Sequence, residues 1–262
     1  MNIYSGGAAY FVVVFKVLGR RAGGEIYMVK SELIKRSPLR IFENTIHGGV
    51  GKGHLGVLAS KKGVGKTACL THIAVDKLFQ ERHVIHVSFA TAVDHIINWY
   101  EDIFREIAKK RNLEHAVEVH DEIIQNRVIM NFNQAGISID QVVSSLEALI
   151  KDGNFPADAV IFDGYDVTER SPGELDAIRA FAERQGLEIW FSVSLKEEGG
   201  ELFTDQGVPA VLENLVDKLD VIINLRHEGD YIHLEVAKDH EMIENRDMQL
   251  RLDPKTLLIA ED

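Results

Sequence analysis

Two rhythms of apolar and polar positions alternate along most of the chain. Short apolar runs at 55–59, 83–90, 127–132, 157–163 and 188–195 read as buried strands. Between them the apolar residues recur at helical spacing. Cys69, Leu70, Ile73, Ala74, Leu78 and Phe79 mark a helix over 68–79. Ile96, Ile97, Tyr100, Ile103, Phe104 and Ile107 mark a second over 93–110, beginning at Val93, with Trp99 beside the stripe as a packing residue. A polar helix follows over 113–125. Ser138 with Gln141 predicts a capping box for a helix to residue 151, with Ile139, Val142, Val143, Leu146 and Ile150 inward. Ser171 with Glu174 predicts another, with Pro172 at the first helical position and Gly186 closing the helix. A further helix is expected over 208–219. From residue 220 the rhythm changes to strands: 220–225 and 231–237 around a turn at 227–230, then 248–252 and 257–259 around Asp253-Pro254.

Strands alternating with helices, then strands in hairpins, predict an α/β domain. Its central sheet is mostly parallel, flanked by helices and extended by antiparallel C-terminal strands. Residues 28–53, anchored by Leu33, Ile34, Leu39, Ile41 and Phe42, are expected to cover one edge of the core. The single domain spans 28–262. Residues 1–27 are expected to be an upstream-start extension or a loosely attached arm, whose removal would leave stability and nucleotide affinity unchanged.

One stretch within this pattern carries specific chemistry. Ser60-Lys61-Lys62-Gly63-Val64-Gly65-Lys66-Thr67 lies between an expected strand and an expected helix. It reads as a phosphate-binding loop of the form G-x-x-x-x-G-K-[ST], with Ser60 replacing the first glycine. Gly63 and Gly65 let successive N–H groups face one concavity, and the start of the helix, from Ala68 on, adds partial positive charge. Lys66 reaches toward β- and γ-phosphates, and the Thr67 hydroxyl is a Mg²⁺ ligand in that motif. Gly48-Gly49-Val50-Gly51-Lys52-Gly53 also contains Gly-Lys, but no hydroxyl residue follows the lysine, so it reads as a turn. Asp163, ending the 157–163 strand, is the expected second Mg²⁺ ligand, because ligands of such sheets gather outside the carboxyl ends of the strands. Asp166 is its weaker neighbour. Together these residues predict a nucleotide-binding domain for ATP and Mg²⁺.

Bulk composition narrows the partners. At 262 residues, 45% hydrophobic and 27% charged, the chain is ordinary globular protein. Its 29 basic and 41 acidic residues give a net charge of −12, which disfavours a broad nucleic-acid surface. A lone cysteine, Cys69, excludes an intramolecular disulfide and a cysteine-based zinc site, and fits a cytoplasmic setting. The apolar run at 8–15 stops at Lys16, well short of a membrane span, and lacks the flanks of a signal peptide. His115 and His120 do not share a helical face, and His83 and His86 point to opposite faces of a strand, so neither pair suggests a metal. Glu197, Glu198 and Glu201 around Gly199-Gly200 read as a solvated loop. Lys109, Lys110 and Arg111 suit the negative end of a helix.

The order of these elements resembles the RecA-like P-loop ATPases, in the branch that includes the hexameric replicative helicases and the circadian-clock ATPases. The resemblance covers roughly residues 37–259. It rests on the glycine-rich approach at 47–53, the phosphate loop, the 84–90 strand, Asp163, Phe191-Ser192-Val193-Ser194-Leu195 and the hairpin ending Val236-Ala237-Lys238-Asp239-His240. It implies a homo-oligomer, dimer or hexamer, and a protein partner. The chain departs from the pattern where hydrolysis is concerned. The family's water-polarising glutamate is replaced near Ala90, and the helicases' γ-phosphate-sensing glutamine falls near Ser194. The lysine and arginine given to a neighbouring subunit correspond to Lys238 and then His240. The resemblance therefore implies nucleotide binding with slow or partner-dependent hydrolysis, or a nucleotide-gated switch, with Lys66 and Lys238 as the catalytic lysines.

A second resemblance is to the MinD/ParA class, whose deviant loops carry an extra lysine where Lys61 stands here. The loop is one glycine short of that pattern, and 86–90 lacks the class's acid-rich strand end. The same loop style occurs in the cobyrinic acid a,c-diamide synthases and other amidoligases. Their glutaminase needs a cysteine nucleophile served by a histidine. Cys69, on the first turn of the loop helix, cannot supply it.

Overall fold

The computed structural model describes residues 2–6, 9–13, 24–89, 94–132, 137–169, 171–195 and 201–261. The strands are β1 (Asn2–Gly6), β2 (Ala9–Val13), β3 (Leu55–Ser60), β4 (Val84–Ser88), β5 (Arg127–Phe132), β6 (Ala159–Asp163), β7 (Glu188–Ser194), β8 (Val221–Glu228), β9 (Tyr231–Asp239), β10 (Met242–Leu252) and β11 (Ile259–Glu261). The helices are α1 (Gly24–Lys35), α2 (Leu39–Thr45), α3 (Lys66–Phe79), α4 (Asp94–Arg111), α5 (Ala116–Ile123), α6 (Ile139–Lys151) and α7 (Pro172–Gln185). All described strands join one sheet, in the order β1-β2-β5-β4-β6-β7-β3-β8-β9-β10-β11. Its centre, from β5 to β8, is parallel, and both flanks are antiparallel. The expected α/β class, parallel centre and antiparallel C-terminal strands are all present.

The central strands read as continuous apolar runs because helices cover both their faces. On one face Leu70, Ile73, Ile103 and Val119 from α3, α4 and α5 pack with Leu58, Ile161 and Trp190. On the other, Val142 and Leu146 of α6 and Ile178 and Phe181 of α7 pack with Val57, Val87 and Phe162. Alternation along β6 and β7 therefore decides which side chains meet α3. Asp163 shares a face with Ile161, and Ser192 with Trp190.

Several expectations are modified. The boundary expected at residue 28 falls inside α1. The segment before it contributes the β1–β2 hairpin, which extends the sheet through Ala9–Phe132 to Val12–Ile129 pairing. Residues 208–219 do not form an α-helix. The 3₁₀ turns of Ala210–Lys218 occupy that place, with Leu212 and Leu215 buried at the three-residue spacing that such turns align. The Ser138–Gln141 capping box forms as expected. The one expected at Ser171 does not. The Ser171 side chain caps nothing, and Glu174 instead accepts a short hydrogen bond from the Tyr165 hydroxyl.

Candidate functional site

The phosphate-loop sequence sits at the carboxyl end of the central strand β3. Its turn follows from two glycines with backbone angles that other residues adopt at a cost: φ is +82° at Gly63 and +108° at Gly65. Packing adds a second restriction at Gly65, where a Cβ would lie 2.7 Å from the Leu252 side chain. The Cys69 N–H reaches back to the Gly65 carbonyl at 2.9 Å. Among the described residues, no backbone carbonyl takes the N–H groups of Gly65, Lys66 or Thr67. Those are the donors that the first turn of a helix leaves without intrahelical partners. Lys61, Lys62 and Gly63 are exposed, Val64 is half-buried and Ala68 is buried.

Lys66 opens α3 but points back beneath the loop. Its Nζ donates to the Ser60 carbonyl at 3.1 Å, the Ser60 hydroxyl at 3.2 Å and the Lys61 carbonyl at 3.1 Å. Ser60 itself is fully buried, and its carbonyl also accepts the Leu195 N–H at 2.9 Å. Three neutral oxygens replace water around the amine without neutralising it. Burial accordingly pulls the Lys66 pKa down to about 8, against the opposing pull of the Asp163 carboxylate.

Asp163 ends β6 and is brought to α3 across the sheet from 96 residues away: its Oδ2 accepts the Thr67 hydroxyl at 2.8 Å. Its other oxygen accepts the Ser192 hydroxyl at 2.8 Å, and Ser192 in turn accepts the Gly164 N–H at 2.8 Å. Both carboxylate oxygens are thus oriented. Thr67, Asp163 and Ser192 form a set of hard oxygen donors, the type that suits Mg²⁺. Mg²⁺ commonly takes one or two protein oxygens and completes its shell with water and phosphate, so Thr67 and Asp163 fit that ion. Ser192 was not singled out from the sequence as a functional residue. Its signal was its place on the Trp190 face of β7, toward α3.

Behind the carboxylate lies a buried polar group from other elements. His86 of β4 contacts the Tyr100 hydroxyl at 3.1 Å, and the Arg127 guanidinium lies 4.4 Å from the Tyr100 ring centre. Burial holds His86 well below the ordinary histidine value, with Asp163 opposing and Arg127 reinforcing the shift. Burial likewise raises Tyr100 and lowers Arg127.

The remaining expected residues are not all brought to the loop. Lys238 is buried, and its Nζ donates to the Val216 carbonyl at 2.6 Å and the Leu219 carbonyl at 2.7 Å. Register places it beside Ile222, which pairs with Val57, toward the end of β3 away from the loop. Within the chain its amine closes the 3₁₀ segment. His240 is likewise tied inward, to Asp239 at 2.8 Å and the Val50 carbonyl at 3.2 Å. Ser194 is exposed and pairs with Ser60. Asp166 accepts the Thr168 N–H and hydroxyl in a local turn. Ala90 and the 196–200 segment lie outside the described residues. Among the described residues, no helix is long and apolar enough to cross a membrane.

The sequence matches no protein-family model and no curated protein.

Proposed function

We propose that this chain is a RecA-like P-loop protein that binds Mg²⁺-ATP and acts as a slow, partner-dependent ATPase or a nucleotide-gated switch. The observation that carries the reading is the convergence of Lys66, Thr67 and Asp163. A desolvated amine and a carboxylate-held hydroxyl stand at one glycine turn, although Asp163 comes from a distant strand. In this reading the N–H groups of residues 63–67 cradle the phosphates and Lys66 neutralises their charge. Thr67 and Asp163 would hold Mg²⁺, which when bound offsets charge on the phosphate oxygens. Ser192 keeps Asp163 aimed at that position.

Slow turnover follows from the side chains available. Position 90, where the resemblance places a water-polarising glutamate, is alanine, which cannot accept a proton. General-base help is typically worth ~10²–10⁴ in rate. The Lys238 amine is engaged with the Val216 and Leu219 carbonyls.

The test is Mg²⁺-ATP binding and turnover on one preparation, with Lys66→Ala as control. Binding that Lys66→Ala abolishes supports the reading. Turnover no greater than that control favours the switch, and turnover well above it, on assembly or with a partner, favours the ATPase. Absence of binding to the wild type overturns the reading.

A further inference from the structure

A cavity of about 290 Å³ lies toward the opposite end of α3 from the phosphate loop, between α1, α4 and β11. That is close to the size at which small-molecule pockets begin. Its walls include Leu33, Phe79, Ile107 and Leu258, so most of what it offers a ligand is apolar contact. One polar group is built into it. His72 is 4% exposed, and its Nδ1 accepts the Ile259 N–H at 2.9 Å. A neutral imidazole with Nδ1 accepting carries its proton on Nε2. Among the described residues nothing accepts that proton, and the ring lines the cavity. Burial, with Lys110 adding to it, holds the His72 pKa down at about 3, so the ring is a neutral donor at physiological pH.

The mouth is cationic. Arg36, Lys110 and Arg111 line it and are exposed. Arg36 pairs with Glu32 at 3.2 Å, and Arg111 gives one hydrogen bond to the Arg36 carbonyl at 2.6 Å, which leaves its other N–H groups. Of the two acids in the lining, Asp76 is committed to Arg40 and to Gln80, and Arg36 has Glu32, which leaves Glu261 against Lys110 and Arg111. Positive charge at the mouth and a buried neutral donor beside apolar walls select an anion with an apolar body.

We propose that this cavity is a second ligand site for a small apolar monocarboxylate, its head between the His72 Nε2–H and the Lys110 ammonium and its chain against Leu33, Phe79 and Ile107. The site is independent of nucleotide binding. It shares α3 with the phosphate loop, but none of the residues at the loop.

Calorimetric titration of the full chain with sodium octanoate tests this, with 1-octanol and sodium acetate as the neutral and short-chain probes. Octanoate is expected to bind saturably and more tightly than either. The exposed substitution Lys110→Glu should weaken octanoate by about tenfold or more, the scale of a hydrogen bond to a charged group, and leave octanol unchanged. His72→Gln, used if its melting curve shows a folded protein, should also weaken octanoate. Lys66→Ala should leave octanoate binding intact. The proposal is overturned if octanoate does not saturate, if acetate or octanol binds as well, or if Lys110→Glu has no effect.

Discussion

Two lysines stand at opposite ends of the sheet in nearly the same local state. Lys66 is 9% exposed and Lys238 is 8% exposed, and each amine donates to two backbone carbonyls. Their surroundings separate them. Lys66 lies at a glycine turn, at a helix start whose first N–H groups meet no backbone carbonyl among the described residues, and within electrostatic reach of an oriented carboxylate. Lys238 closes the end of a 3₁₀ segment, with its carbonyl partners belonging to the backbone that it braces. A buried lysine bonded to carbonyls is therefore not by itself a site. What marks the Lys66 end is that two glycines at positive φ, Thr67 and Asp163 converge on it, while the amine of Lys238 meets only the carbonyls of the segment it braces.

The comparison breaks first at nucleotide affinity. Lys66→Ala is expected to cost roughly 2–5 kcal/mol of Mg²⁺-ATP binding, the range for removing one partner of a buried charged contact. It should leave the melting temperature unchanged or raised, because it also removes a desolvated amine. Calorimetry and thermal melts on the same variant check both halves. A loss of affinity below about 1 kcal/mol would place Lys66 with Lys238 as a structural lysine.

The same amine predicts a signed pH effect. Its folded pKa, about 8, lies below the ordinary 10.5, so between those values the unfolded chain binds more protons. The cost of burying the charge is fully present below pH 8 and is relieved as pH rises toward 10.5. Relative to Lys66→Met, the wild type should therefore gain stability across that window, by up to about 3 kcal/mol. Denaturant unfolding at stepped pH measures the difference. A flat difference would show that the amine is effectively solvated.

Lys238→Met should do the reverse of Lys66→Ala. Leaving the Val216 and Leu219 carbonyls without their donor is expected to cost about 1–3 kcal/mol of stability. Nucleotide affinity and turnover should stay unchanged once the protein is folded. A turnover defect in an assembled but fully stable variant would support the intersubunit role that the sequence resemblance implies.

The contrast also explains which parts of the molecule were legible in the sequence. The strand–turn–helix form of Ser60 to Thr67 was, because its signals are local: two glycines between an apolar run and a helical one. Asp163 was legible because an acid ending an apolar strand is unusual and the sheet gathers such ends. Lys238 was assigned through family order alone, which says nothing of where an amine finds oxygens. The 3₁₀ segment was read as an α-helix because Leu212 and Leu215 suit either spacing. Glu174 was read as a cap because the pattern is local, whereas its partner, Tyr165, comes from outside the helix. Ser192 and His72 were hidden for the same reason: a serine or histidine in an apolar stretch shows its role only once a carboxylate or a pocket is placed against it.

Ser192 sharpens the comparison at smaller scale. Ser192→Ala removes one of the hydrogen bonds that fix Asp163, and is expected to weaken Mg²⁺-dependent ATP binding by about 0.5–1.5 kcal/mol. Binding measured in excess EDTA should be unaffected, which separates orientation of Asp163 from damage to the loop. Equal losses with and without Mg²⁺ would indicate that the whole turn has shifted.

The smallest effect is expected at Lys61, and it bears on which resemblance holds. Its side chain is exposed, and its contribution to holding Lys66 is a backbone carbonyl that alanine retains. Exposed charges near a bound ion contribute about 0–1 kcal/mol, so Lys61→Ala should change ATP affinity by less than about fivefold. ATP-dependent association, followed by sedimentation, should also be unchanged. In the MinD/ParA reading, the lysine at this position supports ATP-driven dimers, so loss of such dimers in Lys61→Ala with nucleotide affinity retained would favour that class. The two lysines of the loop then divide cleanly: buried Lys66 answers whether nucleotide binds, and exposed Lys61 answers what binding assembles.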